Sequence, residues 1–168
     1  MGLARSGKAA IESLVLGGAR VLAWDDDPKK REEISGVGVE IRDLHGINFK
    51  DIDALVLSPG IPHSFPKPHP VAAKAKTSGV PIIGDIDIFA QNSRNTPVIG
   101  VTGTNGKSTT ASLIGHLLSQ SNISNEVAGN IGRPVLEISL NPGPDFIVLE
   151  LSSYPVSYTH LTLPTTKN

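Results

Sequence analysis

Short apolar runs alternate with helical segments along most of this 168-residue chain. Each run is almost continuously apolar, which is typical of parallel strands that helices cover on both faces. The predicted strands lie at residues 20–24, 52–57, 80–83, 97–101 and 146–151, and the predicted helices at 8–16, 71–77 and 108–120. This order predicts an α/β fold of βαβ units with parallel sheets.

The balance of charges and the absence of cysteine exclude several classes of protein. The chain has 15 Lys and Arg against 16 Asp and Glu, and no Cys. Near-neutral charge argues against a nucleic-acid or membrane-surface binder, because phosphate groups require a basic face. Without cysteine there is no disulfide scaffold, thiolate zinc site or Cys nucleophile. No apolar run reaches the roughly 18 residues that span a bilayer, and residues 1–7 lack the apolar core of a signal peptide. We therefore expect a cytoplasmic protein.

A glycine-containing turn between residues 98 and 110 joins a predicted strand to a predicted helix. Glycines let backbone amides converge on phosphate oxygens, and a helix N-terminus adds its positive dipole end. In such a loop Lys107 reaches the β- and γ-phosphates, and the Ser108 hydroxyl binds Mg²⁺. Val101 holds the position of the first glycine in the general G-x4-G-K-[ST] pattern. The alternative is an ordinary glycine turn that caps a helix.

An acidic residue, Glu150, ends the apolar run at residues 146–149. If this strand lies beside the strand before the glycine loop, its carboxylate can hold Mg²⁺ directly or through water. Many strands end in an acid, so a strand end without metal is the alternative. The two motifs together predict a magnesium-dependent phosphate site.

Residues 2–7 read Gly-Leu-Ala-Arg-Ser-Gly, which resembles a dinucleotide fingerprint with Ala4 in place of the middle glycine. Asp25 ends the next predicted strand, where an acid can hold a ribose hydroxyl. Residues 58–60 follow another strand at its carboxyl end, the edge where open α/β sheets bind ligands. These features predict a Rossmann-like nucleotide site. A tight strand–helix turn without a ligand is the alternative, and turn chemistry alone is likewise the alternative for residues 58–60 and for Asn130.

The remaining polar residues give weaker signals. The five histidines show no metal-binding spacing, so we expect them to be structural or solvated. The run at residues 25–27 is expected to form a turn and a helix N-cap, with one functional acid among the three aspartates.

A polar stretch at residues 91–97 is the candidate boundary between two α/β pieces, at 1–93 and 97–155. No strand precedes residues 2–7, although the first strand of a doubly wound sheet is central. We therefore expect the first piece to be incomplete, with two unpaired sheet edges. Residues 156–168 are rich in Thr and contain no acid, and we expect them to lie outside the fold.

Together these motifs resemble the Mur ligase family. The resemblance covers residues 2 to about 154 and rests on the segments 2–7, 58–61, 84–89, 103–109, 129–132 and 149–154. It implies an incomplete Rossmann-like UDP-sugar-binding domain at 1–93 without its first strand. It also implies an incomplete P-loop ATPase, the family's central domain, beginning at 97–155. Segments 84–89 and 149–154 are most similar to the family members that add D-glutamate.

The resemblance implies an ATP-dependent, amide-forming ligase of peptidoglycan precursor synthesis. ATP would phosphorylate the alanine carboxylate of UDP-N-acetylmuramoyl-L-alanine to an acyl phosphate, and the amine of D-glutamate would then attack it. The implied cofactors are ATP and Mg²⁺, and the complete protein is expected to be a monomer. Two other interpretations stay open: a non-catalytic nucleotide-binding module using NAD at residues 2–7, and a sister ligase adding another amino acid.

The resemblance also assigns roles to residues. Lys107 is the implied catalytic residue, and the metal ligands are Ser108 and Glu150. ATP would be cradled by Gly103, Thr104, Asn105, Gly106, Lys107, Ser108 and Thr109. The UDP-muramoyl group would be lined by Arg5, Ser6, Asp25, Ser58, Pro59, Gly60 and Asn130.

The sequence departs from the family pattern after Tyr154, where Pro155 stands in place of Gln. The segment 156–168 resembles translated sequencing-adapter DNA. The family's downstream metal-binding His, its modified Lys and its acceptor domain are not in the sequence. We therefore expect that the 168-residue chain does not catalyse the ligation by itself.

Overall fold

The computed structural model describes residues 1–34, 39–64, 67–93, 96–130 and 132–152. The predicted tail at 156–168 lies outside these ranges, as do Ser153 and Tyr154. The helices are α1 (Arg5–Leu16), α2 (Pro28–Glu32), α3 (Pro70–Thr77), α4 (Asp85–Asn92) and α5 (Lys107–Gln120). The strands are β1 (Leu22–Ala23), β2 (Glu40–Ile41), β3 (Leu55–Val56), β4 (Ile82–Ile83), β5 (Val98–Val101), β6 (Asn125–Gly129) and β7 (Phe146–Glu150). Two short 3₁₀ turns lie at Phe49–Asp51 and Val135–Glu137.

All strand pairs among the described residues are parallel. β1 pairs with β2, β3 pairs with β4, and β7 lies between β5 and β6 in a three-stranded sheet. This confirms the predicted α/β class with parallel sheets. All five predicted strands and all three predicted helices are present, although β1, β3 and β4 are each only two residues long.

The sequence analysis missed β2, α4 and β6. In α4 the apolar residues Ile86 and Ile88 alternate with aspartates, a pattern closer to the period of a strand than of a helix. Its helical start is fixed by Asp87, whose carboxylate accepts a hydrogen bond from the Gly84 amide at 2.7 Å. β6 begins with Asn and Glu, so it lacks the apolar run that marks the other long strands.

The buried face of α5 is narrower than the sequence pattern suggests. Ile114 and Leu118 pack against a cluster formed by Val101, Ala111 and Val148. Apolar residues at 113, 114, 117 and 118 have the spacing of one helix face, but Leu113 and Leu117 are 55% and 57% exposed. Residues three or four positions apart form one stripe of a helix, and the stripe through Ala111, Ile114 and Leu118 is the one that faces the sheet.

The first two residues lie between the two small sheets. The Gly2 amide donates to the Trp24 carbonyl at 2.9 Å, next to the end of β1. The Met1 amino group donates to the Val56 carbonyl of β3 at 2.8 Å, and the Ser58 amide donates to the Met1 carbonyl at 3.0 Å. Residues 1–2 therefore connect the end of β1 to the end of β3.

The packing links the two halves of the chain. One core cluster in the first half contains Leu44, Phe49, Leu55, Leu57 and Val71. A second cluster joins Ile86 and Phe89 of α4 to Val135, Ile147 and Leu149. Because α4 packs on the three-stranded sheet, it connects both predicted pieces, and the boundary at 91–97 stays a prediction. None of the helices in the described ranges has the length and apolar character that crossing a membrane requires.

Candidate nucleotide-binding sites

The loop between β5 and α5 presents its backbone at the carboxyl edge of the three-stranded sheet. Residues 102–106 are exposed, and α5 begins directly after them at Lys107. Gly106 precedes the helix with φ 74°, a left-handed conformation that favours glycine. An exposed loop that ends at a helix N-terminus offers backbone amides and a positive dipole to an anion. The structure thus has the strand–loop–helix geometry that the sequence predicted.

The Lys107 side chain folds back over this loop. Its ammonium group donates to the Gly103 carbonyl at 2.7 Å, which holds a positive charge above the backbone of the loop. Lys107 and Ser108 are half-buried, whereas Thr109 is exposed. This places Lys107 beside the loop residues with which it is predicted to bind phosphate. Their roles with ATP stay a prediction.

The register of β7 brings Glu150 to the same edge. Glu150 pairs with Val101 of β5 on one side and with Gly129 of β6 on the other. A side chain at Gly129 would overlap the Glu150 carbonyl oxygen, so glycine is required for this close approach. Since Val101 is the last residue before the loop, Glu150 lies next to the start of the loop.

The Glu150 carboxylate is buried without full hydrogen bonding. The residue is 3% exposed, and its Oε1 atom has no hydrogen-bond partner among the described residues. A buried carboxylate oxygen left without a partner is costly, so such an atom indicates a cation or an ordered water in the working protein. Carboxylate and hydroxyl oxygens are ligands that Mg²⁺ prefers. Glu150 and Ser108, in the first turn of α5, therefore fit a magnesium site.

Asn130 lies at this edge as well. It directly follows β6, it is exposed, and its amide donates to the Glu150 carbonyl at 2.9 Å. The sequence analysis grouped Asn130 with the UDP-muramoyl residues of the first half. The structure places it beside Glu150, on the edge that carries the predicted ATP loop.

The other predicted UDP-muramoyl residues collect where β1, β3 and α1 meet. Arg5 and Ser6 begin α1, Asp25 follows β1, and residues 58–60 follow β3. Arg5 and Gly60 are exposed, and Ser6, Ser58 and Pro59 are half-buried. The Ser58 hydroxyl donates to the Gly2 carbonyl at 2.9 Å, which ties the two turns together.

Asp25 is a structural link as well as a predicted ligand. Its Oδ2 accepts from the Leu3 amide at 2.7 Å, and its Oδ1 accepts from the Asp27 amide at 3.0 Å. Burial by itself raises the pKa of Asp25, but these two amide bonds and the nearby Lys30 outweigh it, and the net pKa lies below its ordinary value. The ionised carboxylate thus fastens the turn at residues 2–7 to the end of β1.

Asp85 contacts a predicted site residue, although the sequence analysis gave it no role. It is 6% exposed, and burial raises its pKa above the ordinary value, against hydrogen bonds from the Ile86 amide and the Ser6 hydroxyl. Because Ser6 opens α1, this contact joins the start of α4 to the predicted UDP-muramoyl residues. The only signal in the sequence was the position of Asp85 within segment 84–89.

The sequence also gave no indication of a cluster formed by Asp26, His45 and His69. Asp26 Oδ1 lies 3.1 Å from His45 Nε2, and Asp26 Oδ2 lies 2.9 Å from His69 Nε2. His69 Nδ1 accepts from the Val71 amide at 3.3 Å, so its Nε2 carries the proton and donates to Asp26. The sequence analysis expected structural or solvated histidines and did not predict that His45 and His69 contact the same carboxylate. One ligand atom from each of the three residues lies within 4.8 Å of the others, a spacing that a divalent cation could bridge.

This cluster predicts a specific pH dependence of stability. Hydrogen bonds from His69 and His45 lower the pKa of Asp26 from 3.8 to about 2. A carboxyl group with a depressed pKa stabilises the fold above its unfolded pKa, and this contribution is lost as the pH falls from 3.8 toward 2. We expect the melting temperature of the wild type to fall more steeply over this range than that of Asp26→Asn. Exposed Glu12→Gln serves as the control, and equal slopes for wild type and Asp26→Asn would contradict the assignment.

The family model and the relatives that match this chain carry descriptions of the same family. Residues 101–162 match the family model described as the Mur ligase middle domain. A protein from Caulobacter sp. (strain K31), named UDP-N-acetylmuramoylalanine--D-glutamate ligase, is 43% identical over 169 residues, which cover 97% of this chain and 36% of the relative. A protein of the same name from Ruegeria pomeroyi is 44% identical over 174 residues, covering 98% of this chain and 37% of the relative. The chain thus spans little more than a third of the length of these relatives.

One solved structure is a more distant match. The UDP-N-acetylmuramate:L-alanyl-gamma-D-glutamyl-meso-diaminopimelate ligase from Neisseria meningitides is 22% identical, with a TM-score of 0.47, over 89% of this chain and 49% of that chain. That likeness is too distant to bear on function. The sequence identities over nearly the whole chain and the match of residues 101–162 to the middle-domain model make this chain similar to part of the Mur ligases.

Proposed function

We propose that this chain forms the UDP-sugar-binding and ATP-binding part of a ligase that joins D-glutamate to UDP-N-acetylmuramoyl-L-alanine. The observation that carries the proposal is the buried Glu150 carboxylate, whose Oε1 has no partner among the described residues, beside an exposed loop that bears Lys107. The names of the relatives supply the substrates. The chain covers 36% of the length of the relative from Caulobacter sp. (strain K31), so the activity of the whole ligase is part of the proposal.

The chemistry explains why these residues belong together. A carboxylate is a poor electrophile, so an amide-forming ligase must first activate it with ATP, and in the proposed reaction the activated form is an acyl phosphate. Phosphoryl transfer to an anion requires neutralisation of charge on the phosphate oxygens. Lys107 and the loop amides at 103–109 supply part of this positive charge. Mg²⁺, held by Ser108 and Glu150, would supply the rest by drawing charge from the phosphate oxygens.

The substrate would bind to the first half of the chain. The N-terminus of α1 and the Arg5 guanidinium offer positive charge to a diphosphate, and Ser6 and residues 58–60 offer hydroxyl and backbone groups. Asp25 would accept hydrogen bonds from the nucleoside while it holds the turn at residues 2–7. Asn130, next to Glu150, would contact the muramoyl end, which must reach the ATP loop for reaction.

The same proposal includes the domain boundaries, the cofactors and the location of the protein. We place a Rossmann-like UDP-sugar-binding domain at 1–93, the start of the ATP-binding domain at 97–155, and a segment outside the family pattern at 156–168. The middle-domain match extends to residue 162, seven residues past Pro155. We expect a monomeric cytoplasmic enzyme of peptidoglycan precursor synthesis that requires ATP and Mg²⁺ and binds neither nucleic acid nor membranes.

Lys107→Ala should weaken nucleotide binding. Loss of a charged hydrogen-bond donor to phosphate is expected to raise the Kd about 10- to 100-fold. The measurement is a fluorescence titration of the chain with a labelled ATP analogue in the presence of Mg²⁺. Lys76→Ala, an exposed lysine on α3, is the matched control and should leave the Kd unchanged. Equal Kd values for Lys107→Ala and the wild type would remove Lys107 from the site.

Glu150→Gln should abolish the effect of magnesium. Mg²⁺ that binds only the folded state at 100 times its Kd stabilises it by about 2.7 kcal/mol. We expect Mg²⁺ with the ATP analogue to raise the melting temperature of the wild type more than the analogue alone, and to have no such additional effect in Glu150→Gln. Without Mg²⁺ the variant should be at least as stable as the wild type, because it no longer buries an unpartnered charge. A retained Mg²⁺ effect would place the metal elsewhere.

Arg5→Ala should weaken binding of UDP-N-acetylmuramoyl-L-alanine, measured by calorimetry, about 10-fold or more. Arg20→Ala is the control, since Arg20 is exposed near the amino end of β1, on the opposite edge of the sheet. Binding of NAD without binding of the UDP-sugar would instead support a nucleotide-binding module of a different kind. Binding of the UDP-sugar with an unchanged affinity in Arg5→Ala would remove Arg5 alone.

A further inference from the structure

Asp26, His45 and His69 bring one carboxylate and two imidazoles together on the surface of the first half of the chain. Asp26 follows β1, His45 lies between β2 and the 3₁₀ turn at Phe49–Asp51, and His69 directly precedes α3. His45 and His69 come 19 and 43 residues after Asp26, so tertiary packing and not a local motif forms the cluster. Among the described residues, no other three His, Asp or Glu side chains come this close together.

The nitrogen and oxygen atoms of the cluster are spaced for one small cation. Asp26 Oδ1 lies 3.1 Å from His45 Nε2, and Asp26 Oδ2 lies 2.9 Å from His69 Nε2. In a tetrahedral zinc site the metal–ligand distances are about 2.0–2.2 Å, which places the ligand atoms about 3.3–3.6 Å apart. All three ligand atoms of the cluster already lie within 4.8 Å of one another, so small side-chain rotations are enough to reach that geometry.

Two imidazoles and one carboxylate favour zinc over magnesium. Mg²⁺ prefers oxygen ligands and retains its water, whereas imidazole nitrogen suits Zn²⁺ and the neighbouring transition metals. Three protein ligands leave the fourth tetrahedral position to water. The side chains of Asp26 and His45 are 53% and 40% exposed, so both the cation and its water can reach the cluster.

Neighbouring groups hold two of the three ligands in place. The Trp24 indole donates to Asp26 Oδ1 at 2.9 Å, which orients the carboxylate. The backbone of His45 is held on both sides, because its amide donates to Asp43 Oδ1 and its carbonyl accepts from the Lys74 ammonium, each at 2.9 Å. Outer contacts that orient the ligands in this way raise the affinity of a metal site.

His69 must change its tautomer to bind a metal. Its Nδ1 accepts from the Val71 amide at 3.3 Å, so the proton of the neutral ring is on Nε2. Coordination through Nε2 moves this proton to Nδ1 and breaks the bond from Val71. The bond is long, and loss of one helix cap lowers the metal affinity about 5- to 10-fold. Three protein ligands to zinc outweigh a loss of this size.

We propose that Asp26, His45 and His69 bind one divalent transition-metal cation, preferentially Zn²⁺, with water as the fourth ligand. The cation takes the place of the hydrogen bonds through which the two imidazoles share the carboxylate. It fastens the end of β1, the segment after β2 and the start of α3 to one another. The site shares no residue with the proposed magnesium site at Glu150 and Ser108, so it is independent of the proposed ligase function.

The test is zinc binding by the 168-residue chain without an affinity tag, measured by calorimetry at neutral pH. Excess Mg²⁺ is present to occupy sites made of oxygen ligands. We expect one zinc ion per chain, and a Kd about tenfold or more higher in each of Asp26→Asn, His45→Gln and His69→Gln. Exposed His116 on α5 provides the matched control, and His116→Gln should leave the Kd unchanged.

Three results of this titration would overturn the proposal. They are the absence of saturable zinc binding, an unchanged Kd in the three variants, and a Kd that His116→Gln raises as much as they do. The last result would show that zinc binds exposed histidines without selecting the cluster.

A second measurement uses only the wild-type chain and so avoids variants that fail to fold. The imidazole rings are followed by NMR while zinc is added. We expect the ring signals of His45 and His69 to shift, with His69 changing to the tautomer protonated on Nδ1, and those of His116 to stay unchanged. The Val71 amide signal should shift as well, because its bond to His69 is lost. Unchanged rings at saturating zinc, or a shift of only one of the two, would overturn the three-ligand site.

Discussion

The pairing of β7 with β5 and β6 determines where the proposed ATP and magnesium residues lie. It aligns Glu150 with Val101 and Gly129, so a buried carboxylate stands between the start of the glycine loop and the turn that holds Asn130. The close approach at Gly129 leaves no room for a side chain, and this fixes the backbone around Glu150. A carboxylate in this position is costly for the isolated fold and useful to a cation. The cost in stability therefore lies at the point where the proposed reaction needs charge to be neutralised.

The first half of the chain is organised around a different constraint. Its two small sheets are connected through residues 1–2, and Asp25 fastens the following turn to β1. The predicted UDP-muramoyl residues depend on this turn, because Arg5 and Ser6 begin the helix that follows it.

The sequence was most informative where a motif is local. The β5 strand, the glycine loop, Lys107 and α5 are contiguous, and their geometry follows from glycine conformations and helix capping within about ten residues. The parallel class followed from apolar runs that are continuous, as buried strands require. It was least informative for α4 and β6, whose apolar pattern is weak. Their structure depends on a cap at Gly84 and on a place beside β7.

Local sequence thus determined the α/β class, the glycine loop before α5 and the acid at the end of β7, because each depends on neighbouring residues or on periodicity. Only the tertiary structure decided which strands are neighbours, and with it the burial of Glu150, the position of Asn130 and the contact of Ser6 with Asp85. It also brought His45 and His69 to one carboxylate, 19 and 43 residues away along the chain. Contacts across such separations depend on how helices and strands pack, and no local pattern records that packing.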